Sequence, residues 1–164
     1  MDAKELRQRL IRNIDEQLTG PAAERQMRPP RYESLFASLS GGTVARQLGA
    51  GVDMVPPGKQ SCPYHLHHSQ EEMFVILEGR GTLRVAGELL PVRAGDVIFI
   101  PAGPEYPHQL INTSDAMLKY MSISTQQKPE ICEYPDSGKV QAWAAGVKVV
   151  QRPADALDYW DGEP

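Results

Sequence analysis

The sequence predicts an all-β domain, a sandwich or a barrel, with a helix ahead of it. From Thr43 to Ser124, short runs rich in Val, Ile, Leu, Phe and Tyr are separated by Gly or Pro: "TVARQLG", "VDMVPPG", "MFVILEG", "GTLRVAG", "LLPVRAG", "DVIFIPAG", "HQLINTSD" and "AMLKYMSIS". Short strands at that spacing with turn residues between them mark such folds. No helical period competes within the stretch, and 164 residues suffice for one domain with a core.

Ahead of it, Leu6, Leu10, Ile14 and Leu18 recur at one spacing with Ile11 beside them, which predicts one amphipathic helix over residues 3–18. Thr19-Gly20-Pro21 ends it, because Gly caps a helix and Pro cannot continue one. The stretch to residue 42, with "RPPRY" and a Ser/Gly end, reads as an extended arm, either a strap over the core or a dimer contact. Within the β-rich part, "AGE" and "RAGD" are tight turns and "NTSD" closes another with side chains that hydrogen-bond their own backbone. Beyond Ser124 the chain turns polar through "EYPDSG", and the aromatics of "LDYWDGEP" are expected to pack back on the barrel. The organisation expected is a helix and arm over 1–42, a barrel over 43–125 and an extension over 126–164.

Net charge is −4 and the pI about 5.6, so no broad cationic face is on offer for nucleic acid. No run approaches the roughly 20 apolar residues of a membrane span. The charged N-terminus lacks the apolar stretch of a secretory signal, so a cytoplasmic protein is expected. Cys62 and Cys132 sit in no CxxC pair and are expected as free thiols. A small molecule is the expected partner, with a second copy of the chain through the N-terminal stripe.

The segment "PYHLHHSQEEMFVILEG" holds three of the four histidines, and His108 is the fourth. On a strand, residues i and i+2 share a face, so His65 and His67 present two imidazoles on one side. A histidine alone on a strand is ordinarily a hydrogen-bonded core or surface residue. A HxH pair followed by a carboxylate in a β-rich chain is a metal-ligand pattern. Glu71 or Glu72 supplies that acid. Glu72 stands an odd number of residues after His67, so "HHSQ" must turn the chain and let the glutamate open a partner strand. His68, adjacent to His67, has no such role.

These residues resemble the cupins, small β-barrels with two short motifs. His65-x-His67, Glu72 and Gly79 fit the first motif, and the distance to Gly79 picks Glu72 over Glu71. Its leading glycine does not fit, since Gly58 lies one residue early and Lys59 holds its place. Gly95, Pro101-x-Gly103, His108 and Asn112 fit the second, except that the loop before His108 is two residues longer. The resemblance covers about residues 43–125. It implies a double-stranded β-helix, or jelly-roll barrel, with one divalent transition-metal ion (Zn, Mn, Fe, Ni or Co) held by His65, His67, Glu72 and His108. "PYHLHHSQEEMFVILEG", "PHQLINTSD" and "EYPDSGK" are similar to a group of small bacterial cupins assigned by inference as sugar-phosphate isomerases.

An ion held that way can chelate a substrate, polarise a carbonyl or bind dioxygen. Phe74, Ile76 and Leu110 are expected to keep the pocket partly dry. The resemblance implies an isomerase that moves a proton between adjacent carbons. An iron-dependent dioxygenase and a non-catalytic small-molecule binder stay open beside it. Glu105 and Tyr106, on a loop stiffened by Pro101, Pro104 and Pro107, are the candidate proton-transfer residues, with Tyr64 behind them. Lys59, Arg46 and Arg84 are candidate rim cations for a phosphate, and no phosphate-cradling Gly loop appears.

Overall fold

The computed structural model describes residues 1–164. Two helices, α1 (Ala3–Leu10) and α2 (Ile14–Thr19), stand where one was expected. The break has a local cause. Asn13 Oδ1 accepts hydrogen bonds from the N–H groups of Asp15 and Glu16, both at 3.0 Å, and so caps a new helix, while Ile11 turns extended. Helix α2 docks by its side chains: Leu18 packs with Ala37, Leu39 and Val52, and Lys119 Nζ donates to Asp15 Oδ1 at 2.8 Å, whereas α1 is tied by a hydrogen bond from the Val44 N–H to the Arg9 carbonyl at 3.1 Å. Helix α1 buries no residue.

The arm is also more ordered than expected. It forms a hairpin of β1 (Glu24–Arg28) and β2 (Tyr32–Ser38), and β2 pairs antiparallel with β3 (Leu48–Val55). The arm thereby extends the barrel's own sheet.

The remaining strands are β4 (Leu66–His67), β5 (Glu72–Glu78), β6 (Arg80–Val85), β7 (Glu88–Arg93), β8 (Val97–Ile100), β9 (His108–Ile111), β10 (Leu118–Thr125), β11 (Glu130–Tyr134), β12 (Lys139–Ala144) and β13 (Val147–Gln151). One sheet runs β1-β2-β3-β10-β5-β8. It faces two smaller sheets, β13-β12-β11-β4 and β7-β6-β9, joined by a bridge between His65 and His108. This is the expected jelly-roll barrel.

Alternation sorts the side chains. Phe74 and Ile76 of β5, Leu118 and Tyr120 of β10 and Val55 of β3 point inward to a core with Leu83, Val92, Ile100 and Leu110. Val52, Leu77 and Met121 of the same strands point outward, beneath α2. Two glycines are required by close approach. A Cβ on Gly79, at φ +82°, would lie 2.2 Å from the Met117 carbonyl oxygen, and one on Gly51 would lie 2.4 Å from the Phe36 ring. Gly51 thus lets Phe36 cross the inner face of β3.

The C-terminal extension departs from expectation. Strand β11 pairs with β4 and carries the β12–β13 hairpin, but Leu157, Tyr159 and Trp160 lie exposed. The aromatics of the tail do not pack on this barrel. They follow a hairpin whose outer strand is itself wholly exposed.

Candidate metal centre

Strand β4 is two residues long and sets both histidines of the first motif. Its Leu66 is buried, and His67 pairs in register with Cys132 of β11. His65, just before it, pairs with His108 at the start of β9. Glu72 opens β5 in the opposite sheet, paired with Ser124 of β10 and Ile100 of β8. The turn over "HHSQ" therefore carries the chain across the barrel. Glu72 does not open a strand that pairs with the histidines' own, as the sequence led one to expect. It faces them across the lumen.

The four side chains converge. Glu72 Oε2 lies 2.7 Å from His108 Nε2, 3.5 Å from His67 Nε2 and 3.9 Å from His65 Nε2. The donor atoms of His65, His67 and Glu72 all lie within 4.8 Å of one another. Each ring is fixed from behind. His65 Nδ1–H donates to the Pro63 carbonyl at 2.8 Å and His108 Nδ1–H to the Tyr106 carbonyl at 3.1 Å. A carbonyl only accepts, so Nδ1 carries the proton in both rings and Nε2 offers a lone pair to the centre. His67 Nδ1 faces Cys132 Sγ at 3.2 Å and Glu130 Oε1 at 3.5 Å.

This arrangement fits a metal ion. A lone pair on His108 Nε2 and a carboxylate oxygen 2.7 Å apart need a cation between them, a proton or a metal. Three Nε2 atoms aimed at one carboxylate make the second the better match to the donor set. Burial, and then the neighbouring His108 imidazole, push the His65 imidazole down to about 4, so it is a neutral ligand at neutral pH. Burial pushes the Glu72 carboxyl up, but the hydrogen bond to His108 and the neighbouring imidazoles of His67, His108 and His65 outweigh it. Glu72 ends below its ordinary value and is an anionic ligand.

Glu130 and Cys132 escaped sequence reasoning. Glu130 is fully buried, and its carboxylate accepts hydrogen bonds from the N–H groups of His68 and Ser69, at 3.0 and 3.2 Å. It holds the turn that follows the histidine pair. Burial raises the Cys132 thiol to about 12. His68 is exposed and bonds Glu133 at 2.7 Å, away from the centre.

Beside the cluster lies a cavity of about 240 Å³ lined by His65, Glu72, Phe74, Asp53, Ser61, Cys62, Tyr120 and Ser122, with Gln26 and Phe36 at its edge. Asp53, Ser61 and Tyr120 were also missed, because nothing local marks them as inward-facing partners of a distant motif. Tyr120 and Ser61 hydrogen-bond through their hydroxyls. Phe74 lines the cavity as expected, while Ile76 and Leu110 lie in the core.

Glu105 and Tyr106 do not line this cavity; both are exposed on the loop before β9. What Tyr106 gives the centre is its carbonyl, behind His108. Tyr64 is buried, accepts from the Gly87 N–H and carries the Arg84 guanidinium 3.8 Å above its ring. Arg84 itself grips Asp136 with two hydrogen bonds, at 2.6 and 2.8 Å, and Lys59 Nζ donates to the Pro30 carbonyl. Two of the three candidate phosphate cations thus already have partners.

Residues 51–124 match the family described as the cupin domain. An uncharacterized protein of Methanocaldococcus jannaschii is 38% identical over 71 residues, which make up 43% of this chain and 54% of that one. The oxalate-binding protein of Thermotoga maritima is 33% identical over 69 residues, 42% of this chain and 54% of its own. The chain spans about half the length of the curated relatives it matches. Among solved structures, the "Putative sugar phosphate isomerase" of Acidithiobacillus ferrooxidans superposes with a TM-score of 0.80 at 24% identity, over 96% of this chain and 98% of that one. A sugar phosphate isomerase of the cupin superfamily from Silicibacter pomeroyi superposes with a TM-score of 0.67 at 26% identity, over 77% and 82%. No helix of this chain is long and apolar enough to cross a membrane. Residues 51–124 thus match the cupin domain, and the barrel around them has the double-stranded β-helix fold.

Proposed function

We propose that the protein is a metal-dependent cupin enzyme that interconverts isomers of a small hydroxylated carbonyl compound. One observation carries this reading: three imidazole Nε2 atoms and the Glu72 carboxylate converge beside a cavity inside the barrel. The 26% identity with a cupin named as a sugar phosphate isomerase supports the reaction class. A divalent ion bound there, of Zn, Mn, Fe, Ni or Co, would supply Lewis-acid polarisation of a substrate oxygen. The protein's own part is to hold His65, His67, Glu72 and His108 in place and to present the cavity to the substrate. Phe74 keeps one wall apolar, which strengthens electrostatic contacts inside.

A second reading, small-molecule binding without turnover, has one observation in its favour, the 33% identity with an oxalate-binding protein. Elemental analysis of untagged protein, followed by an isomerase assay on aldoses, ketoses and their phosphates, separates the readings. Bound zinc or manganese with isomer interconversion supports the proposal. Iron with oxygen consumption would replace it by a dioxygenase. Metal without turnover of any kind would leave the binding role.

The working unit proposed is a homodimer. Leu6, Leu10 and Ile11 of the N-terminal segment, Val147, Val149 and Val150 of β13, and Tyr159 and Trp160 of the tail are exposed on the single chain. Apolar side chains left out in this number are the usual material of an interface.

A further inference from the structure

The cavity beside the metal centre holds a carboxyl group that metal binding leaves without a role. Asp53 lies on β3, one alternation from the core residue Val55, so it faces the lumen. It is 8% exposed and shares the cavity with Glu72 and His65. No Lys or Arg lines that cavity. Asp53 forms no ion pair, and the nearest strand's lysine, Lys119, is engaged by Asp15 and Glu78. Ser34 Oγ is beside it, close enough to favour the ionised form, yet it makes no hydrogen bond of ordinary geometry. Burial dominates and pushes the carboxyl up to about 6, so it is still mostly ionised at pH 7.5.

A buried carboxylate whose one neighbouring donor is the poorly aligned Ser34 hydroxyl is costly. Apolar isosteres would pack the same position without that cost. A ligand that supplies hydroxyl donors accounts for its presence. The other polar walls, Ser61, Ser122 and the Tyr120 hydroxyl, are likewise suited to hydroxyls. With an ion offsetting the charge of Glu72, Asp53 adds a negative charge that no lining Lys or Arg balances, which disfavours a second anion beside it. The cavity of about 240 Å³ falls below the roughly 300–1,000 Å³ of drug-sized sites, so the ligand portion inside is small.

We propose that Asp53 binds the ligand of this cavity by accepting a hydrogen bond from a hydroxyl, and that the cavity takes an uncharged hydroxylated carbonyl compound in preference to a dicarboxylate. A phosphate on such a compound lies outside the cavity. Where the site isomerises its ligand, which rests on the function proposed above, the same carboxylate takes the proton from the hydroxyl-bearing carbon. It returns that proton to the neighbouring carbon while the hydroxyl proton passes to the former carbonyl oxygen, so no proton is gained or lost overall.

Calorimetric titration of the zinc-loaded full chain at pH 7.5 tests the binding role with two probes, L-erythrulose and oxalate. Erythrulose is expected to bind the parent protein, and Asp53→Asn to weaken it by about tenfold or more, the worth of one hydrogen bond to a charged group. Oxalate is expected to bind Asp53→Asn more tightly than the parent, because one repelling charge is gone. Metal per chain, measured on the same samples, must be equal in the two proteins. Tighter binding of oxalate than of erythrulose by the parent would overturn the proposal. So would unchanged affinities in Asp53→Asn, or no erythrulose binding at millimolar concentration. Calorimetry needs no turnover, so inactive protein would count against the isomerase reading alone. If zinc fails to bind, that reading fails on its own ground, and the same comparison on metal-free protein still decides the role of Asp53.

Discussion

The backbones of His65 and His108 exchange two hydrogen bonds, 3.1 Å from His65 N–H to His108 O and 2.7 Å from His108 N–H to His65 O. The two histidine motifs are therefore locked main chain to main chain before any ion is considered. Their rings lie 4.6 Å apart, centroid to centroid. Preorganisation of this kind lets a single anionic ligand decide metal affinity.

Glu72→Gln is expected to fold and to lose metal affinity by more than about 100-fold, a greater loss than removal of a residue behind the ligands. The amide keeps the shape and can still pair with His108 Nε2. Metal per chain and thermal midpoint, measured for variant and parent, check it. Unchanged stoichiometry would point to Glu71, which is exposed and whose N–H bonds the Thr125 hydroxyl.

Glu130→Gln should weaken metal binding about 10- to 100-fold without removing a ligand. Its carboxylate holds the His68 and Ser69 N–H groups and stands behind His67 Nδ1. A competition titration against a chromogenic chelator measures the change, and parent-like affinity would limit Glu130 to a role in folding.

Asp53 gives a stability prediction with a definite sign. Its carboxyl moves from 3.8 to about 6 on folding, because burial disfavours the charge. The folded state therefore holds the proton more tightly, and this contribution is full below about pH 4 and lost as pH rises through 6. At about 1.36 kcal/mol per pH unit the loss approaches about 3 kcal/mol. Metal-free Asp53→Asn should thus be more stable than the parent at pH 8, with the gap closing towards pH 4. Denaturant midpoints at both values check it, and a less stable variant at pH 8 would contradict it.

Deleting residues 1–12 removes α1 and leaves the α2 cap at Asn13 and the β1–β2 hairpin in place. If the Leu6, Leu10 and Ile11 face joins two copies, light scattering should find the truncated chain monomeric or in concentration-dependent exchange. A stable truncated dimer would shift the interface to β13 and the tail.

Tyr106→Phe and Glu105→Ala are each expected to leave metal affinity unchanged. Both side chains are exposed, and the loop serves His108 through the Tyr106 carbonyl, which neither change touches. Equilibrium dialysis with zinc checks this. A marked loss in either variant would assign its side chain to the centre.

Some of this protein is local and could be read from its sequence. Alternation in "EMFVILE" put Glu72, Phe74 and Ile76 on one face, and the structure keeps them there. The HxH spacing set two imidazoles on one side of a strand, and the longer-range motif match brought in Glu72 and His108. Asn13 was legible in principle as a cap, but the apolar period across residues 3–18 masked it, since a cap is decided by one side-chain oxygen and two amides. Other features depended on which strands pair, a choice no local pattern encodes. Sheet pairing carried Glu72 to the wall opposite the histidines, made the arm a hairpin on β3 and turned Asp53 towards His65 across the lumen. Backbone hydrogen bonds between distant strands fix these neighbours. The sequence by itself therefore determined which residues could bind a metal, and tertiary pairing decided which carboxylate looks into the space beside it.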